Sequence, residues 1–426
     1  MLNFNLKGGL MYRHNNRTIE VLDAIMGSGK TKGIIKWMLK NPSQKYLYVS
    51  PLLSEVEGRI VNDCEELEFV SPTSEEFNTK GDHLLHLLKE GCNVSFTHSL
   101  FKQMSLEHLK AIDDVGYTLI IDEEIDFVDA YSESDYHPQD ILTLEKSGHV
   151  EVDEANLGRV VWTWKNENYE GGTYDKLKNM CHLQMLHCTK RSRKMMVTHL
   201  PISLVTVSER TVVLTYRYEG SIMQRFMDMK GITKKIFTEV QPTKTEAQVK
   251  YEAAELIEIF RTPTTTSVKN LSLASGWYNG TAKKQDFQRV SKAIRSACRK
   301  GRSDDVMYTL PKSLVTKATK SRPPKISVPG YHPDNCFVFC GTKSTNNLDH
   351  KNVLVHAFNR YPLLSVSSYL RDYGFPINAD EFALSELIQW VWRSRIRKGE
   401  PIKICFLAPR MEGIFKDWVD NCEPAE

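Results

Sequence analysis

Cysteine pairs are the first thing missing from this chain. Nine cysteines are scattered over 426 residues with no CxxC pair, which excludes a disulfide-stapled scaffold and points to a reducing compartment. Cys181, His182, His187 and Cys188 are close in sequence, yet their spacing matches no structural-zinc pattern and they are expected on a helix face. A positively charged leader with an apolar core is also missing, as is any long apolar span, so no membrane segment is expected and the cytoplasm is the expected location. Neither sign of charge dominates: 56 Lys and Arg stand against 53 Asp and Glu, a formal net charge of +3. Affinity for nucleic acid must then come from local clusters and not from a global basic field. What is present, 41% hydrophobic and 26% charged residues, resembles an ordinary soluble chain long enough for two domain-sized cores.

One stretch organises the rest. Thr18 to Thr31 reads TIEVLDAIMGSGKT, an apolar alternating run that ends in a glycine-bracketed turn. Ile19, Val21 and Ile25 favour a strand, Gly27 and Gly29 permit φ values a side chain forbids, and Ile34, Ile35 and Met38 then recur at helical spacing. A strand, a glycine loop and a helix start aim successive backbone N–H groups at one spot, where the helix dipole favours an anion. That spot suits a nucleoside triphosphate. The string fits A-x-x-G-x-G-K-T, the Walker A pattern with Ala24 in place of its first glycine, so Ala24, Met26, Gly27, Ser28, Gly29, Lys30 and Thr31 are the candidate nucleotide-binding residues. Lys30 is expected at the β- and γ-phosphates, and Thr31 on the magnesium ion that bridges them.

Downstream, KYLYVSP (45–51) reads as a strand, LLSEVEGRIVNDC as a helix capped by Ser54, KGDHLLHLLKEG as a helix, NVSFTH (93–98) as a strand and SLFKQMSLEHLKAI as a helix. Alternating strands and helices imply a parallel sheet covered on both faces, with ligands at the carboxyl ends of its strands. The next strand, YTLIIDEE, runs apolar into Asp122, Glu123 and Glu124. Carboxylates closing a buried strand behind a phosphate loop fit a magnesium site and a catalytic water, with Asp122 assigned to the metal and Glu123 to the water.

Residues 126–198 break the alternation and read as an insertion. HVEVDEANLGRVVWTWKN reads as a hairpin around Asn156-Leu157-Gly158, with Trp162 and Trp164 on one face as core residues, base-stacking platforms or a strand-separating wedge. ERTVVLTYRYEG restores the strand pattern, ending in Thr215-Tyr216 beside the acidic pair, and 230–238 is the expected hinge. In the second half, AQVKYEAAELIEIF reads as a helix, NLSLAS as a strand, KKQDFQRVSKAIRSACRKG as a basic helix, and ISVPG, NCFVFCG, KNVLVHAF and PIKICFLAP as strands. The cationic run 312–325 is either a phosphate contact or a solvated loop. ALSELIQWVWRSRIRKG reads as an amphipathic helix whose Arg393 and Arg397, four apart, share one face.

A P-loop half followed by a second α/β half with a Gln-and-Arg segment resembles the superfamily 2 helicases, most closely the DEAD/DEAH-box-like helicases encoded by bacteriophages. AIMGSGKT resembles motif I, VSPLLSEV motif Ia, SFTHSLF the strand-end threonine motif, LIIDEE motif II, VVLTY motif III, LSLASGWY motif IV, STNNLDHKNVLVHAFNRYP motif V and QWVWRSRIR motif VI. Motif II here reads Asp-Glu-Glu-Ile, and Asn347 and Trp392 stand where the family carries glycines. The resemblance implies an α/β fold of two tandem RecA-like P-loop domains with parallel sheets, divided as 1–232 and 233–426, with an insertion at about 127–200. It implies ATP and magnesium as cofactors and an ATP-dependent helicase or translocase acting on single-stranded or forked DNA in the bacterial host cytoplasm, in phage replication or recombination and alongside proteins of those processes. A remodelling ATPase without strand separation, or a packaging-type motor, is the alternative. Gln389, Arg393 and Arg397 join Glu123 as catalytic candidates, with Arg397 favoured at the γ-phosphate. Ser50, Thr97 and Thr345 are the candidate nucleic-acid contacts.

Overall fold

The computed structural model describes residues 13–131, 137–163, 167–315, 324–341 and 348–420. They form two compact units. The first takes the described residues within Met1–Asp23, Lys30–Gln241 and Leu363–Ile377; the second takes those within Ala24–Gly29, Pro242–Pro362 and Asn378–Glu426.

The strands of the first unit are β1 (Thr18–Asp23), β2 (Tyr46–Ser50), β3 (Val94–Thr97), β4 (Thr118–Asp122), β5 (Val128–Ala130), β6 (Val150–Asp153), β7 (Arg159–Trp162), β8 (Leu186–Cys188), β9 (Met196–His199), β10 (Arg210–Thr215) and β11 (Thr233–Ile236). Six of them make one sheet in the order β11-β1-β10-β4-β2-β3, every pair parallel. Period-two alternation decides which side chain meets which layer. Ile19, Val21, Leu47, Val49, Leu119 and Ile121 enter one core, while Leu22, Tyr46, Tyr48, Ile120, Val212 and Leu214 enter the other with Ile34, Trp37 and Met38 of helix Lys30–Lys40. The sheet is thus apolar on both faces, as the continuous hydrophobic strands require. The order also sets the carboxyl ends of β1, β10 and β4 side by side, with Asp23 in register with Thr215 and Leu214 with Asp122.

β5 to β9 form a separate antiparallel sheet, β5-β9-β8-β7-β6. Its β6–β7 hairpin turns at Leu157, which adopts φ 59°, and Gly158. Trp162 is 5% exposed and packs with Ile141, Leu144 and Leu177, so it is a core residue; Trp164 lies outside the described residues. His187 and Cys188 sit on β8, whereas Cys181 and His182 end helix Asp175–His182, so the four do not share a helix face. Among the described residues no group of three His, Cys, Asp or Glu side chains is arranged to hold a metal ion.

The second unit carries β12 (Ile257–Ile259), β13 (Val306–Thr309), β14 (Val353–His356) and β15 (Ile402–Phe406) in a parallel sheet ordered β12-β15-β14-β13. Several local expectations give way here and in the first unit. The helix at 246 stops at Ala254, and the apolar residues after it become β12. LSLAS is not a strand: Leu271 N–H donates to the Val268 carbonyl at 3.0 Å and Leu273 takes φ 55°, folding the run into turns. ISVPG and NCFVFCG are loop and short helix, with Phe337 making only an isolated bridge to Tyr308. Ser54 is αR and caps nothing, and a π-turn over Glu55–Arg59 replaces the first helical turn. The expected hinge is instead β11, paired to β1, and the first unit runs on to Gln241. Among the described residues no helix is long and apolar enough to cross a membrane.

Candidate nucleotide and nucleic-acid site

The Gly27–Gly29 loop has the backbone its glycines predict. Gly27 and Gly29 sit at φ 82° and 86°, values that cost a side chain roughly 1–2 kcal/mol. Between them Ser28 is fully buried; its N–H and hydroxyl reach the Ile25 carbonyl at 3.3 and 2.7 Å. From within the same unit, Thr243 holds the turn from outside, its N–H and hydroxyl both donating to the Ser28 carbonyl at 2.8 and 2.9 Å. A Cβ on Gly29 would lie 3.1 Å from the Thr243 hydroxyl oxygen, so this glycine is needed for fit as well as for φ. Ala24 and Met26 are half-buried and Gly27 is exposed. Met26 and Gly27 line a cavity of about 210 Å³ together with Lys244, Glu252, Trp392 and Arg397.

In the first unit Lys30 opens helix Lys30–Lys40, 8% exposed, and Thr31 follows half-buried. Two strands away in the same sheet, β4 delivers Asp122, 9% exposed, and half-buried Glu123. Burial pushes the Asp122 carboxyl up to about 7, the Glu123 charge adds to that rise, and the Tyr48 hydroxyl and the Lys30 ammonium oppose it. Tyr48 O–H donates to Asp122 Oδ2 at 2.8 Å; its own ionisation is driven far upward by burial and by that carboxylate. His98 Nε2 lies 2.9 Å from the Asp122 carbonyl oxygen. Glu123 adopts φ 65°, and its N–H donates to the Leu214 carbonyl of β10 at 2.9 Å. A left-handed glutamate pinned by the neighbouring strand is stored backbone strain, which concentrates at functional positions. The Thr215 hydroxyl donates to Glu124 Oε1 at 3.2 Å, so it touches the third acid of the run.

These residues fit a divalent cation. A buried carboxyl held upward by desolvation beside a second carboxylate is a pocket short of positive charge, and a hard cation relieves that deficit.

Sequence reasoning missed Tyr48, His98, Thr243 and Asp23. Asp23 accepts the N–H groups of Arg217 and Tyr218 at 2.7 and 2.9 Å, tying the end of β1 to the turn after β10. A signal existed for two of them: Asp23 closes an apolar strand, and the alternation Tyr46, Tyr48 places a phenol on the helix-covered face.

The remaining candidates spread out. Gln389 is half-buried, 3.5 Å from the Ser385 hydroxyl, on helix Ala379–Val391. That helix ends before the arginines, so Arg393 and Arg397 do not share a helical face. Trp392 packs edge-on to Trp418 with centroids 5.5 Å apart, Ser394 is extended with its hydroxyl on the Val391 carbonyl at 2.7 Å, and Arg395–Lys398 form a 3-10 turn closed by Gly399 at φ 75°. Arg393 is half-buried beside Cys340, Arg395 donates to the Pro401 carbonyl, and Arg397 is exposed and lines the cavity. Thr97 caps the short helix His98–Phe101, accepting Leu100 N–H at 3.4 Å. Ser50 is 1% exposed and its hydroxyl accepts Leu52 N–H at 3.4 Å. Thr345 lies outside the described residues.

Residues 251–419 match the family model described as the YonV C-terminal Rossmann-like domain. Over 425 residues the chain is 29% identical to the SPbeta prophage-derived uncharacterized protein YonV of Bacillus subtilis (strain 168), covering 95% of this chain and 99% of that one. Among solved structures it is similar to S. tokodaii Xpd4, with a TM-score of 0.46 and 13% identity over 94% of this chain and 93% of that one.

Proposed function

We propose that the chain is a magnesium-dependent ATPase of the superfamily 2 helicase type that acts on nucleic acid. The observation that carries this reading is the shared carboxyl edge of β1, β10 and β4, which offers a lysine at the loop's end, the buried Asp122 and a strained, strand-pinned Glu123 in one parallel sheet. Lys30 would clamp the triphosphate, Thr31 and Asp122 would hold magnesium, and the ion would neutralise phosphate charge when bound. Glu123 would take a proton from the attacking water, and the φ 65° backbone fixes where its carboxylate starts from. Tyr48 and His98 keep the Asp122 end of β4 in place through its carboxylate and its carbonyl. Arg397, exposed on the same cavity as the Met26–Gly27 turn, is the arginine we assign to charge developing in transfer. Ser50 and Thr97 at their strand ends, and Thr345, remain proposed contacts to a phosphate backbone. The prophage origin of the YonV relative supports a role in phage DNA metabolism, in replication or recombination.

The test is ATP turnover of the full chain with no nucleic acid, single-stranded DNA, duplex DNA and RNA, paired with unwinding of a tailed duplex. Stimulation with unwinding supports a helicase, and stimulation without it supports a translocase or remodeller. Turnover indifferent to every nucleic acid would remove the nucleic-acid half of the reading.

A further inference from the structure

Helix Lys284–Cys298 of the second unit has two unlike faces. Val290, Ala293, Ile294, Ala297 and Cys298 are buried. Opposite them Lys284, Lys292 and Arg295 are exposed, and Arg299 at the C-cap continues the row. At about 100° per residue these four cations fall within an arc of about 80°, with Gln288 in its middle. None of the four has an ion-pair partner among the described residues. The nearby acids are already engaged: Asp286 accepts Lys283 N–H at 2.9 Å and pairs with Arg289, and Asp305 pairs with Arg302 at 3.0 Å. Exposed Lys325 lies alongside, its ammonium 5.7 Å from the centre of the Phe287 ring. A chain with a net charge of only +3 has thus gathered an unpaired basic row on one helix.

From this row we infer a track for the phosphate backbone of one nucleic-acid strand, distinct from the strand-end threonines and resting on the nucleic-acid reading above. The helix leads into β13, so it runs antiparallel to the sheet: Lys284 stands near the carboxyl edge of the strands and Arg299 near the amino edge. The row is about 22 Å long, enough to meet several successive phosphates of one strand. Side chains in a straight row read charge and spacing and no base identity, so the surface holds single strands of any sequence. It would extend the bound strand down the side of the second unit.

The test uses the full chain and a poly-dT strand of about 30 nucleotides, titrated between about 50 and 200 mM salt. One variant combines Lys284→Gln, Lys292→Gln, Arg295→Gln and Arg299→Gln, all at exposed sites. A second, equal in charge, combines Lys40→Gln, Lys89→Gln, Lys110→Gln and Lys146→Gln on the first unit. The track predicts that the first variant loses at least about tenfold in affinity and that its log-log salt slope shrinks by about 3, near 0.7 for each of four contacts. The second should stay within about twofold of wild type. Equal losses in both variants, or none in the first while wild type binds, would overturn the track and leave the ATPase reading standing. A wild-type chain that binds no nucleic acid at all would overturn the nucleic-acid reading and the track with it.

Discussion

The carboxyl edge of the six-stranded sheet and the arginine turn at 393–399 differ in how they hold their charges. At the sheet edge Lys30 and Asp122 are almost fully buried, and Glu123 is locked into a left-handed backbone by a bond to the next strand. In the arginine turn Arg393 is half-buried, Arg395 is spent on the Pro401 carbonyl, and Arg397 is exposed. Buried charges with fixed partners are pre-organised for chemistry; an exposed arginine on a short turn is free to approach developing charge only when it is needed. The difference gives the two regions unequal sensitivity to mutation.

The largest effects belong to the sheet edge. Lys30→Ala should cut ATP turnover by more than about a hundredfold, because the lost ammonium works in a site shielded from water, while a thermal melt stays cooperative. Glu123 separates chemistry from backbone. Glu123→Gln should keep ATP binding and lose nearly all hydrolysis, and Glu123→Gly should lose hydrolysis too but gain about 1 kcal/mol of stability as the φ 65° strain is relieved. A destabilised glycine variant would mean that the carboxylate, and not the backbone, sets that geometry.

The arginines come next. Arg397→Ala should lower turnover by about tenfold or more with nucleotide affinity changed by less than about threefold, the pattern of a contact made mainly in the transition state. Arg395→Ala should leave the chemistry alone and lower stability by about 1 kcal/mol, since it removes a donor from the Pro401 carbonyl. Turnover and melting temperature for both variants, measured together, sharpen the contrast; equal effects on turnover would erase it.

How far the sequence could be read follows the same division. β1, the glycine loop and the helix after it were legible because propensity, periodicity and turn chemistry agree over one short stretch. β4 was legible because an apolar run that meets three acids belongs at the end of a buried strand, where the chain surfaces. The arginine segment misled because helical spacing continues through Trp392 and Ile396, while tertiary contacts stop the helix: Trp392 seats on Trp418, and Arg395 N–H is drawn to the Lys351 carbonyl at 3.1 Å. Thr243 was invisible because its partner Ser28 lies 215 residues away, and the alternation that placed the Tyr48 phenol gave no sign of its partner Asp122, 74 residues on. β12 was hidden by a helix pattern that runs into it, a three-residue strand being too short to show its own period.

The smallest effect on ATP turnover belongs to the insertion. His187 and His199 stack there with ring centroids 3.6 Å apart. Burial, then the Lys230 charge, lowers His187 to about 3, and burial lowers His199 as well, helped by His187 and Lys230. Above the ordinary histidine pKa of about 6.5 both states are neutral and nothing is lost. Below it the unfolded chain binds protons that the folded chain refuses, so stability should fall by roughly 1.4 kcal/mol per pH unit for each histidine until the folded groups titrate. Denaturant unfolding at a series of pH values should show that slope in wild type, shallower in His187→Phe, with ATP binding at neutral pH unchanged.

The central claim is that the β4 acid pair hydrolyses a nucleotide held by the Gly27–Thr31 loop. Its most direct test is single-turnover hydrolysis of ATP by wild type and Glu123→Gln in magnesium and saturating single-stranded DNA, with nucleotide binding followed in the same samples. The account predicts equal binding and a rate for Glu123→Gln lower by at least about a hundredfold. Equal rates in the two proteins, or no ATP binding by wild type, would contradict it.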